Sequence, residues 1–142
     1  MARDKLDMLL RLRGLAVQDR MRDLAVALRA EDDAVRARAA SAQTLAQETA
    51  EARSMANRDA ALAGFGPWHV RATQALRDAE AQATAADQAT RTAQAALGEA
   101  RGAVRAIENA VERRNAATDM ALQRSTQHAL DDATRRPGGA DR

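Results

Sequence analysis

Apolar side chains recur at three- and four-residue intervals through most of this chain, and nowhere with a period of two. In the first half the larger ones are Leu6, Leu9, Leu10, Val17, Met21, Leu24, Leu28, Val35 and Leu45. From Val17 to Leu45 they fit a heptad seam, with Val17, Leu24 and Leu45 in one position and Met21, Leu28, Val35 and Ala42 in the other. Glu31 and Arg38 interrupt it with charge. The second half repeats the pattern: Leu76, Ala83, Thr90, Leu97, Val104 and Val111, with Ala79, Ala86, Ala93, Ala100 and Ile107 between them. Arg114 and Thr118 weaken this seam before Leu122 and Leu130. Between the halves stands Ala63-Gly64-Phe65-Gly66-Pro67-Trp68. Glycine suits a helix C-terminus and proline a first helical position, so the pattern predicts a helix over about 4–63, a turn at 64–66 and a helix over about 67–135. Asp4 is the expected N-cap and residues 136–142 a disordered tail. The chain's single Phe and single Trp are expected to cap the turn.

Two such helices predict an all-α, antiparallel two-helix coiled-coil hairpin, a single domain shaped as a long rod. Facing residues of an antiparallel pair have numbers with a constant sum, here 131 or 132 if the turn lies near residues 65 and 66. Val35 then meets Leu97, Leu28 meets Val104, Leu24 meets Ile107, Met21 meets Val111, Leu10 meets Leu122, and Glu31 falls opposite Arg101. Large residues meet near the termini and small ones, such as Thr49 and Ala83, in the middle. Asp32/Arg36 and Asp87/Arg91 read as helical i,i+4 ion pairs.

Composition supports this reading. About a quarter of the 142 residues are alanine and aromatics are 1%, so helix is favoured while little area is available for a thick core. The absence of cysteine excludes disulfide and thiolate chemistry. No long uncharged apolar run and no N-terminal leader pattern occur, which predicts a cytoplasmic chain without direct membrane insertion. Basic residues number 22 and acidic 20, too even a mixture for nucleic-acid binding to be the default.

No catalytic, cofactor-binding or metal-binding constellation is present in the sequence. His69 and His128 lack convergent acidic or thiol partners and read as surface residues. Gly98 and Gly102 form a G-x-x-x-G spacing, but Glu99, Arg101 and Arg105 surround it, so local close approach or bending is expected rather than membrane pairing. The remaining feature is charge. Arg11-Leu12-Arg13 with Arg20 and Arg22, and Arg113-Arg114 with Arg124, fall toward the terminal end of the hairpin, broken by Asp19, Asp23, Glu108 and Glu112. This patch reads either as a solvated face or as a docking surface.

Leu6-x-x-Leu9-Leu10-Arg11-Leu12-Arg13 followed by Ala16, Arg20, Leu24 and Ala25 resembles the N-terminal signature of the flagellar type III export proteins of the FliJ family and their YscO-type injectisome counterparts. Ala106-Ile107-Glu108, Glu112-Arg113-Arg114 and Leu130-Asp131-Asp132-Ala133 resemble that family's C-terminal pattern, although the chain has almost no lysine and a more usual family ending is Leu-Asp-Glu-x-Ala. The resemblance implies a non-catalytic stalk that inserts the terminal end of a hairpin into the hexameric export ATPase, contacts the export gate membrane protein and escorts export chaperones. It implies a place in the cytoplasm, peripherally associated with the inner-membrane export apparatus. Residues carried over to the ATPase-facing end are Arg11, Arg13, Arg20, Glu108, Glu112, Arg113 and Arg114. The free protein is expected to be a monomer. The alternatives are an injectisome stalk of the YscO type and a generic cytoplasmic coiled-coil adaptor; a nucleic-acid or membrane-surface binder would need more net charge than +2.

Overall fold

The structure, a computed structural model, describes residues 2–54 and 59–135, with side chains described over 5–54 and 63–135. Helix α1 is Ala2–Ser54 and α2 is Asp59–Arg135. The two pack against each other, and the described residues contain no strand. Contacts divide the chain into two compact units, Ala16–Ala100 and Met1–Leu15 with Arg101–Arg142. One end of the predicted helical run needs small adjustment: α1 begins before Asp4, which is therefore helical rather than an N-cap, whereas α2 ends at Arg135 as the pattern predicts. The tail at 136–142 lies outside the described residues.

In the unit Ala16–Ala100 the inward positions of α1 are Val17, Leu24, Ala27, Glu31, Ala34, Ser41, Leu45, Thr49 and Ala52, each half-buried. Those of α2 include Phe65, Trp68, Ala72, Leu76, Ala83, Ala86, Thr90, Ala93 and Ala100, each half-buried or buried. These positions match when numbers add to 117: Val17 with Ala100, Leu24 with Ala93, Ala34 with Ala83, Leu45 with Ala72, Ala52 with Phe65; the buried Ala79 and Leu97 fall level with Arg38 and Arg20, which are exposed. Bulky side chains thus meet small ones almost throughout, which keeps the seam uniformly narrow. In the other unit, Leu6 and Val111 line one cleft and their numbers have the same sum. There Leu10 matches Ile107 and Gly14 matches Ala103.

The predicted seam of α2 is therefore correct in every layer to Val111, whereas half the predicted seam of α1 is not. Met21, Leu28 and Val35 are 50%, 47% and 41% exposed. Ala27, Ala34 and Ser41 take the inward position beside Val17, Leu24 and Leu45. The facing constant also differs from the expected 131 or 132, so each α1 residue finds its partner two heptads nearer the start of α2. Glu31 is level with Ala86, not Arg101, and Leu122 and Leu130 are 66% and 62% exposed. Every residue from 112 to 135 is exposed, and from about residue 116 onward α2 runs past the level of the first residue of α1.

The reason is the position of the break. Residues 64–66 are helical, and Pro67 lies inside α2, well past its first turn. The connection falls instead within 55–58, outside the described residues. Phe65, Trp68 and His69 do not cap a turn: spaced i, i+3 and i+4, they stack along one helix face, with ring centroids 5.6 Å apart for Phe65–Trp68 and 5.5 Å for Phe65–His69. Phe65 and Trp68 are half-buried at the levels of Ala52 and Thr49, where α1 offers only small side chains. Burial of these two rings offsets the local preference of Gly64, Gly66 and Pro67 for a turn.

The core is thin. Among the described residues Ala79, Ala83, Thr90 and Leu97 are the buried ones, and no large side chain is fully enclosed. The hydroxyl of Thr90 finds no hydrogen-bond partner, unlike Thr49, which donates to the Leu45 carbonyl at 2.6 Å. An unsatisfied buried hydroxyl costs about 1–3 kcal/mol. Thr90→Val should therefore stabilise the protein by roughly 1–2 kcal/mol, read as a higher urea midpoint in circular dichroism; a lower midpoint would mean that the hydroxyl is bonded after all.

Candidate partner-binding surface

The seven residues carried over from the resemblance are all exposed on helices. Arg11, Arg13, Glu108, Glu112, Arg113 and Arg114 belong to the unit made of the two terminal segments; Arg20 belongs to the other unit. Within the terminal unit the helical levels are close. Arg11 and Arg13 stand level with residues 106 and 104, and Glu108 with residue 9. The six side chains thus share a stretch about 15 Å long at 1.5 Å per residue. Their exposure follows from heptad position, since Leu6, Leu10, Ile107 and Val111 occupy the inward sites between them.

Arg114 lines a cleft of about 350 Å³ with Leu6, Asp7, Val111, Asn115 and Thr118. Its walls combine two apolar residues with a carboxylate, a guanidinium, an amide and a hydroxyl. Such a groove offers oriented hydrogen bonds to a protein partner but no nucleophile with an adjacent base. Arg20 donates to the Asp23 carboxylate at 3.3 Å and Arg22 to Asp19 at 3.2 Å, each across one helical turn. These exposed pairs partly cancel the basic charge of that stretch and contribute little to stability. The two expected i,i+4 pairs form as well, Arg36 with Asp32 at 2.5 Å and Arg91 with Asp87 at 3.1 Å.

Of the other candidates, His128 is exposed as expected, while His69 is half-buried against Phe65. Gly98 and Gly102 mark no close approach: a Cβ at either would meet nothing within 4 Å. Among the described residues no group of three or more His, Asp or Glu side chains could hold a metal ion, and no helix is long and apolar enough to cross a membrane. Spacing alone does not reveal the exposed apolar stripe on α1, because it places Met21, Leu28, Val35 and Ala42 in the seam.

These features define the class: an all-α protein in which two long helices fold into an antiparallel hairpin, with exposed charge at its terminal segments. Compared with known protein families, curated proteins and solved structures, the chain matches none.

Proposed function

We propose that this chain is a non-catalytic stalk and escort component of a flagellar type III export apparatus. In this reading the terminal unit docks into the export ATPase hexamer, and the protein also contacts the export gate and export chaperones, from the cytoplasmic side of the inner membrane. The observation that carries it is the concentration of six exposed charged residues, Arg11, Arg13, Glu108, Glu112, Arg113 and Arg114, within one short stretch of the terminal unit. A mixed-charge surface on rigid helices fits a ring interior by orientation and register rather than by a deep pocket. The resemblance of Leu6–Arg13 and Glu112–Arg114 to the FliJ signatures supplies the partner.

The test is co-purification with the flagellar export ATPase. Reversing charge with Arg113→Glu and Arg114→Glu should weaken binding by roughly ten-fold or more, with helicity unchanged by circular dichroism. Undiminished binding removes these residues from the interface. No binding by the native chain removes the export reading and leaves a coiled-coil adaptor; capture by an injectisome ATPase alone would place it with YscO-type stalks.

A further inference from the structure

In the unit Ala16–Ala100, α1 carries a second apolar stripe about 100° round the helix from its seam with α2. Met21, Ala25, Leu28, Val35, Ala39 and Ala42 follow the alternating four- and three-residue spacing of a coiled-coil interface, and all six are exposed. The one charge within it, Asp32, is neutralised by Arg36 on the next turn. Met21, Leu28 and Val35 stand seven residues apart, the spacing at which a neighbouring helix is met once every two turns.

The positions bordering this stripe are arginines on one side and carboxylates on the other, several of them already paired along their own helix: Arg22 with Asp19, Arg36 with Asp32 and Asp87 with Arg91. Arg22, Arg29 and Arg36 line one side on α1 itself, all exposed. On the other side stand Glu80 and Asp87 of α2, at the heptad position that flanks the same side of the antiparallel seam as Met21, Leu28 and Val35. At the facing constant of 117, Asp87 is level with residue 30 of α1 and Glu80 with residue 37. Arg29 and Arg36 therefore sit within one residue of the heights of the two carboxylates, on the opposite edge.

We infer that this face binds a second copy of the same chain, with the two α1 helices parallel and in register. A two-fold axis running along the helices lays the basic edge of each copy on the acidic edge of the other. Arg29 then meets Asp87, and Arg36 meets Glu80, twice over. A two-fold axis across the helices would lay basic edge on basic edge and acidic on acidic. The apolar stripe supplies the area, and the charges choose the orientation. The intrahelical pairs Arg36–Asp32 and Arg91–Asp87 extend into a network across the interface. The expected monomer would leave this stripe in water.

The chain has no cysteine, so single thiols report the geometry. Met21→Cys and Val35→Cys, made separately in the full chain, should each form a disulfide-linked homodimer under mild oxidation. Crosslinking only between a Met21→Cys chain and a Val35→Cys chain would show antiparallel pairing and overturn the proposal. Failure of both to crosslink, with the native chain sedimenting as a monomer at about 100 µM, would overturn it equally. Arg29→Glu should loosen the dimer roughly three- to ten-fold in sedimentation equilibrium, and adding Asp87→Arg should restore it to within about two-fold. Loosening without restoration sinks the charge pairing. Binding to the export ATPase is not part of either readout, so loss of that reading leaves this one standing.

Discussion

A disulfide between Cys residues at positions 34 and 83 should form within one chain and raise the unfolding free energy by about 4 kcal/mol, the loop-entropy value for roughly 50 enclosed residues. Ala34 and Ala83 are both small, both inward-facing, and level with one another in the register defined by the burial of the two helices. Ala83 is among the most enclosed residues, at 7% exposure. Small side chains on both sides allow the backbones to approach closely, and a disulfide needs about 4.4–6.8 Å between Cα atoms. The competing register, with facing numbers adding to 132, sets Thr49 rather than Ala34 against Ala83 and pairs Leu28 with Val104. Ala34→Cys with Ala83→Cys and Leu28→Cys with Val104→Cys therefore give opposite answers in the two registers. Non-reducing gels and a urea melt of each oxidised variant decide the matter. Efficient intramolecular closure of the Leu28/Val104 variant would displace the register and every level assignment built on it.

Pro67→Ala should stabilise the protein by about 2 kcal/mol, an unusual gain for an exposed single substitution. Proline inside a helix forgoes the hydrogen bond to the carbonyl four residues earlier and crowds it, at about 3 kcal/mol relative to alanine. Part of that is returned because alanine loosens the unfolded chain, a term of about 0.4–1 kcal/mol in the other direction. Gly64 and Gly66 sit on the same two turns, and a Cβ at either would meet nothing within 4 Å. The stretch from Gly64 to Pro67 is thus the least helix-favouring part of α2, held by the packing of Phe65 and Trp68. If residues 64–66 formed a turn, Pro67 would occupy a favourable first helical position and its replacement would be neutral or harmful. The sign of the shift in melting midpoint separates the two.

The candidate site was legible in part. That Arg11, Arg13, Glu108, Glu112, Arg113 and Arg114 would be exposed follows from their places between inward heptad positions, which depend only on helical period. That Arg114 would share a cleft with Leu6 and Asp7 was not readable, because it depends on which turn of α1 stands beside which turn of α2.

What the sequence determined by itself is whatever is local. Alanine content and three-to-four spacing make helices and exclude strands, and the uninterrupted stripe from Leu76 to Val111 picks the buried side of α2. The ion pairs Asp32–Arg36 and Asp87–Arg91 follow from spacing on one helix. Register is different. In a seam made mostly of alanine, sliding one helix by whole heptads superimposes nearly identical surfaces, so periodicity leaves several pairings close in energy. The break between helices selects among them, and Gly64–Pro67 carries stronger local turn signals than 55–58. Only the tertiary arrangement, with Phe65 and Trp68 filling the space beside Ala52 and Thr49, overrides those signals. For the same reason α1 could not declare its own inner face. Val17, Leu24 and Leu45 on one stripe and Met21, Leu28 and Val35 on the next are equally apolar, and the position of α2 alone decides which is covered.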